Sequence, residues 1–146
     1  MRAFEFPLRR ALDWRRTQLD LDRVKLNQLS ARSEEMRLAA VRLDLVKGRT
    51  EAAIRQAAVV EAADLWALSA YRQRLIAELR ALEQRQAACE RELAAQREKL
   101  LETQRQCRLL ERLEQRRQAE WRSEADRELE TLAAESFLAR WNRPAK

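Results

Sequence analysis

Gly48 is the only glycine in a chain of 146 residues, and the sequence contains just two prolines. A fold built from β-strands reverses direction often and uses glycine, proline, asparagine and aspartate at the reversals. This chain is instead dominated by alanine, leucine, arginine, glutamate and glutamine, which are favourable in helices. We therefore expect an all-α fold with very few interruptions.

Two stretches of the chain show apolar residues at alternating steps of three and four, the pattern of a coiled-coil seam. The first stretch carries Leu19, Leu26, Ser33 and Ala40 with Asp22, Leu29, Met36 and Leu43, and Leu8 and Leu12 extend it backward. The second carries Leu68, Leu75, Leu82, Cys89 and Leu110 with Leu65, Leu79, Leu93, Leu100 and Cys107. Its polar members are Arg72, Gln86, Gln96 and Thr103, and such residues help to fix register. The pattern predicts a long antiparallel two-helix coiled coil, that is, a helical hairpin.

The surroundings of Gly48 indicate a bend. Gly48 follows the first periodic stretch, and Thr50 is a plausible N-cap for a new helix. The alanine-rich residues that follow would form a short connecting helix between Gly48 and Asp64, with Asp64 capping the last helix. We expect one elongated coiled-coil domain over 1–146, with a first helix at 6–47, a connecting helix at 50–63 and a second helix at 65–141. The two termini would then meet at one end.

The residues needed for most enzyme chemistry are missing. The chain has no histidine, the usual general base and nitrogen ligand of metals. A single glycine cannot build the glycine-rich loops that bind nucleotide phosphates. Cys89 and Cys107 do not match a zinc-binding spacing, and on one helix they would lie about 27 Å apart, too far for a disulfide. We expect two buried seam cysteines and no catalytic, cofactor or metal site.

The charge pattern limits the partners. The net charge is +6 and the sequence pI is about 10.1, yet 24 acidic residues are interspersed with the basic ones. This mixture is typical of a solvated helix surface and disfavours nucleic acid. No segment reaches the length of about 18 apolar residues that a membrane span needs, and Arg9, Arg10 and Asp13 interrupt any signal-peptide core. The sequence therefore predicts a cytoplasmic protein without direct membrane insertion.

The few aromatic residues are candidate contact points. Those near the two termini are Phe4, Phe6, Trp14, Trp121, Phe137 and Trp141, and we expect them to pack together where the ends meet. Trp66 and Tyr71 lie near the predicted bend, where they form either a partner-binding patch or a contact with the connecting helix. A basic flank formed by Arg105, Arg108, Arg112, Arg116 and Arg117 is either a solvated face or a grip for an acidic protein surface.

Two stretches carry a family resemblance. The opening "FEFPLRRALDWRRTQLDLDRVKLNQL" and the later "LLERLEQRRQAEWRSEADRELETLAAESF" resemble the flagellar export protein FliJ family, with Phe-x-Phe-Pro-Leu at 4–8 and Leu-Glu-x-Leu at 110–113 ahead of Trp121. The resemblance implies a non-enzymatic stalk of the flagellar type III export apparatus, an antiparallel coiled coil similar to the gamma subunit of rotary F-type ATPases. It also implies a cytoplasmic location, peripherally associated with the inner membrane at the flagellar base.

The resemblance further implies partners and contact residues. The partners would be the hexameric export ATPase, the cytoplasmic domain of the membrane export gate, and export chaperones. The expected ATPase contacts are Phe4, Phe6, Pro7, Leu8, Arg112, Arg116, Arg117 and Trp121. Tyr71 and Leu75 would contact the export gate.

Three alternatives stay open. The chain could be the equivalent stalk of a virulence type III secretion injectisome. It could be a generic coiled-coil scaffold or chaperone, which would bind cargo without stimulating an ATPase. A nucleic-acid-binding helical protein would instead show an affinity that falls steeply with salt.

Overall fold

The computed structural model describes residues 3–141, so the domain predicted over 1–146 extends beyond them at both ends. Helix α1 spans Arg9–Gln56 and helix α2 spans Ala62–Trp141, and no strand occurs in the described part of the chain. The two helices pack against each other. The all-α helical hairpin predicted from the heptad pattern is therefore confirmed.

Helix α1 begins after a turn at Pro7 and Leu8, rather than at residue 6 as predicted. The Arg9 amide donates to the Phe6 carbonyl at 3.1 Å, and the Leu12 amide donates to the Leu8 carbonyl at 2.9 Å. Pro7 has no amide hydrogen and a fixed φ, which suits it to the position just ahead of a helix. Residues 3–6 thus form a short non-helical segment in front of α1.

The predicted bend at Gly48 is wrong. Helix α1 continues through Gly48 to Gln56, and Gly48 has no positive φ. Thr50 is not an N-cap, because its hydroxyl donates to the Val46 carbonyl one turn earlier at 2.9 Å. A glycine inside a helix costs only about 1 kcal/mol relative to alanine, and the good helix formers around it offset this cost. The separate connecting helix predicted at 50–63 therefore does not exist; its first part belongs to α1.

The reversal lies at residues 57–61, whose sequence is Ala-Ala-Val-Val-Glu. Two adjacent β-branched valines lower the helix propensity at this point. The Glu61 carbonyl accepts hydrogen bonds from the Asp64 and Leu65 amides, both at 3.1 Å, so Glu61 occupies the N-cap position of α2. Asp64 lies instead within the first turn, where its carboxylate still interacts favourably with the helix N-terminus. Helix α2 consequently begins three residues earlier than the predicted 65.

Replacing Gly48 with alanine tests this correction. A Cβ atom built at Gly48 meets no other atom within 4 Å, and the backbone there is already helical. We expect the variant to be more stable by about 0.5–1 kcal/mol, because alanine loses less backbone entropy in a helix. Thermal unfolding followed by circular dichroism measures the change. A lower melting temperature would instead support a bend at this residue.

Contacts group the chain into two compact units, which are described in turn: residues 20–101, and residues 1–19 with 102–146. In the unit 20–101, Leu29, Cys89 and Leu93 form a buried cluster, and Leu26 and Met36 pack against it. The Cys89 thiol lies 3.6 Å from the Leu29 carbonyl, and both cysteines of the chain are buried and free, as predicted. The two helices therefore run antiparallel here, with residues 29 and 51 opposite 89 and 72.

A polar group interrupts the apolar seam of this same unit. Asp22 is only 4% exposed, and the Gln96 side-chain amide donates to its backbone carbonyl at 3.2 Å and to its carboxylate at 3.3 Å. Lys99 approaches the same carboxylate oxygen at 3.4 Å. Both Asp22 and Gln96 occupy seam positions of the heptad pattern. Their mutual bonding satisfies two buried polar side chains in one layer of the seam.

In the unit formed by 1–19 and 102–146, Leu12 is the only large side chain that is completely buried among the described residues. Thr103 and Cys107 are buried in the seam of the same unit, as the heptads predict, whereas Phe6 and Ala125 are buried outside the predicted positions. Two ion pairs join the helices, Arg9 with Glu114 and Arg16 with Glu111, each at 3.0 Å. The Glu111 carboxylate accepts hydrogen bonds from Arg16 and so raises the pKa of that guanidinium above its ordinary range.

Candidate functional site

A groove of about 620 Å³ forms where the segment before α1 lies against α2, within the unit of residues 1–19 and 102–146. We call it the N-terminal groove. Its apolar lining comes from Phe4, Phe6, Pro7, Leu8, Leu113 and Trp121, and its charged lining from Glu5, Arg117, Glu120 and Glu124. Pro7 and the turn that precedes α1 place residues 4–8, whereas the lining residues between 113 and 124 lie within about three turns of one another on α2.

An aromatic pair anchors the groove. The ring centroids of Phe4 and Trp121 lie 6.1 Å apart with the planes tilted by 51°, a favourable aromatic arrangement, and Phe6 is buried beside them. The expected packing of terminal aromatics is therefore confirmed for this pair. Trp14 is exposed and carries the Arg15 guanidinium over its ring at 4.7 Å. Phe137 and Trp141 contact each other on the surface of α2, with centroids 6.2 Å apart.

The charges of the groove are mixed rather than basic. Glu120 pairs with Arg116 at 3.0 Å and with Arg117 at 3.9 Å, so one carboxylate serves two of the predicted cations. The groove lining contains one basic side chain, Arg117, and three acidic ones, Glu5, Glu120 and Glu124. This arrangement suits an apolar side chain of a partner protein with charges of both signs around it, rather than a purely acidic surface.

Arg112 does not belong to the N-terminal groove. It lies nine residues before Trp121 on α2, which places it on the opposite side of a helix with about 100° per residue. Arg112 is exposed and forms no ion pair with any residue between 3 and 141. Of the eight residues expected to contact the ATPase, the structure brings together Phe4, Phe6, Pro7, Leu8, Arg117 and Trp121, with Arg116 linked to them through Glu120.

The two residues predicted to contact the export gate, Tyr71 and Leu75, differ in their exposure to solvent. Tyr71 is 42% exposed and lines an apolar pocket of about 510 Å³ beside the connection, together with Ile54, Val60 and Leu68. Leu75 is only 4% exposed and packs in the seam, so a partner would reach it only by displacing α1. Trp66, at 80% exposed, is fully available to a partner rather than packed against a connecting helix. Tyr71 and Trp66 are thus the accessible aromatics of this region.

Sequence reasoning missed five residues that line the N-terminal groove: Ala3, Glu5, Leu113, Glu120 and Glu124. Glu120 had a usable signal, because it lies four residues after Arg116 and three after Arg117. Leu113 belongs to the motif at 110–113 but falls outside the heptad seam. Its spacing of eight residues from Trp121 places both on neighbouring parts of one helix surface.

Comparisons of the chain with protein-family models, with curated proteins and with solved structures found no match. Within residues 3–141, neither helix contains a stretch long and apolar enough to cross a membrane. The same residues hold no group of three or more potential metal-ligating side chains. The function proposed for the chain is therefore inferred from the family resemblance and from the geometry of the groove.

Proposed function

We propose that the chain is a non-enzymatic component of the flagellar type III protein export apparatus, and that its N-terminal groove binds the hexameric export ATPase. One observation carries this proposal. The Phe-x-Phe-Pro-Leu motif at 4–8 and the segment from 110 to Trp121, which carry the resemblance to the FliJ family, line a single groove although about a hundred residues separate them.

The chemistry of the groove is consistent with protein binding. A partly buried tryptophan beside two phenylalanines provides a rigid apolar surface, and aromatic residues dominate the energetics of protein interfaces. The rim charges would set the orientation of the partner. In this proposal the chain transmits ATPase motions to the export gate, with Tyr71 as the gate contact, and it also binds export chaperones. Its location would be cytoplasmic, at the membrane-facing base of the flagellum.

A pair of tryptophan substitutions tests the groove. We expect Trp121→Ala to weaken binding to the purified cognate export ATPase by about tenfold or more, because it removes the central aromatic residue. Trp66→Ala removes the same residue type at a site outside the groove and should leave the affinity unchanged. Isothermal titration calorimetry gives both values, and circular dichroism checks that each variant keeps its helices. Equal affinity for all three proteins would refute binding through the groove.

The same assay separates the flagellar assignment from its nearest alternative. Where the source organism has both systems, the flagellar export ATPase and the injectisome ATPase can each be purified and titrated with this chain. Preferential binding to the flagellar enzyme supports the proposal. Preferential binding to the injectisome enzyme would assign the chain to the virulence system instead.

A further inference from the structure

On the outer face of α2, two basic residues precede Ala119 and two acidic residues follow it at the same distances. Arg112 and Asp126 lie seven residues to either side of Ala119, and Arg108 and Glu130 lie eleven residues to either side. Steps of seven and eleven correspond to about two and three helical turns, so all five residues share one face of α2. All five are exposed and lie in one structural unit.

These four charges have no partner within the described chain. Three nearby arginines form local ion pairs: Arg105 lies 4.0 Å from Glu102, and Arg116 and Arg117 pair with Glu120. Arg108, Arg112, Asp126 and Glu130, in contrast, form no ion pair with any residue between 3 and 141. Their face points away from the seam, in which Cys107 and Ala125 are buried against the first part of the chain.

From this arrangement we infer that two copies of the chain associate through the outer face of α2, antiparallel, with a two-fold axis at Ala119. In an isologous pair, a residue before the axis meets the residue at the same distance after the axis in the other copy. Arg108 would therefore meet Glu130, and Arg112 would meet Asp126, each pair occurring twice. The small side chain of Ala119 at the crossing point permits a close approach of the two helices.

Apolar surface supports the same register. Phe137 is 65% exposed on this face, and its side chain leans toward the preceding helical turn. In the antiparallel pair it would meet Leu101 of the second copy, because both residues lie eighteen positions from Ala119 along α2 and Leu101 is 53% exposed. Because exposed ion pairs contribute little individually, the dimer is expected to be reversible and salt-sensitive. This inference does not rest on the proposed function.

Charge reversal in the full chain tests the inference by sedimentation equilibrium. We expect wild-type protein at low ionic strength to shift from the mass of one chain to that of two as its concentration rises, and to revert when salt is added. The variants R108E/R112E and D126R/E130R each place like charges opposite one another and should remain single chains. Mixed in equal amounts, they should form a two-chain complex, because every facing pair is then opposite in sign.

Two further variants keep the result interpretable. R108E/R112E/D126R/E130R carries both reversals in one chain and should dimerise again by itself. R80E/R85E changes the net charge as R108E/R112E does, at exposed positions away from this face, and should behave as wild type. A wild-type protein that stays a single chain at every concentration would overturn the inference. So would reversed variants that still dimerise, a mixture that fails to associate, or a mass above two chains.

Discussion

Truncating Leu12 to alanine should lower the free energy of unfolding by about 2–5 kcal/mol. Leu12 is the completely buried large side chain of its unit, with an exposed fraction of 0%. Removing three carbons there loses apolar burial and leaves a cavity that two long helices cannot easily close. The thin apolar seam has few other buried residues to compensate for this loss.

Leu45→Ala is the matched control for that variant. Leu45 lies on the same helix and is 57% exposed, so its truncation removes the same atoms from a solvated position. We expect a change within about 0.5 kcal/mol. Urea unfolding followed by circular dichroism gives both values. Similar losses for the two variants would contradict the seam described above.

The second large effect is expected at the polar layer of the seam. Asp22→Ala removes the carboxylate that accepts from Gln96 and pairs with Lys99, and the Gln96 amide then loses one of its two buried acceptors. We expect a loss of about 1–3 kcal/mol in the free energy of unfolding. The double variant D22L/Q96L replaces both polar groups with apolar ones and should be as stable as wild type or more so.

We expect D22L/Q96L to keep its stability but to lose its unique helix register. Buried polar pairs fix the axial alignment of coiled coils, so D22L/Q96L is expected to sample more than one register. Two-dimensional amide NMR would then show more than one signal for seam residues such as Leu29 and Leu93. A single set of signals from the double variant would show that apolar packing alone sets the register.

Much of the fold was predictable because the seam obeys a simple period. Leu29, Leu75, Cys89 and Leu93 are buried where the heptads place them, and the polar seam positions Gln96 and Thr103 are buried as well. Burial follows from the geometry of two helices in contact, which depends only on spacing along the chain. No long-range information was needed to identify these residues.

The position of the reversal was not predictable by the same reasoning. Gly48 is the strongest local signal for a break, but its cost of about 1 kcal/mol is smaller than the gain from continuing a helix with good formers on both sides. The actual reversal at 57–61 contains neither glycine nor proline. Its only local signal is the pair Val59 and Val60, which is weak because valines also occur within helices.

The candidate site was predictable in part. Motif residues Phe4 and Trp121 were identified as contact residues, and the structure places them together. The opposite orientation of Arg112 and Trp121 also follows from the sequence, because nine residues separate them on the single helix predicted over 65–141. The heptads already placed Leu75 in the buried seam, whereas the accessibility of Tyr71 follows from where α1 lies against α2.

The most direct test of the proposed function is the hydrolysis rate of the cognate export ATPase with and without the full chain. We predict that the wild-type protein stimulates hydrolysis and co-purifies with the ATPase ring, and that Trp121→Ala does so less effectively at equal concentration. An unchanged hydrolysis rate at saturating protein, together with no co-purification, would contradict the proposal and favour a coiled-coil scaffold.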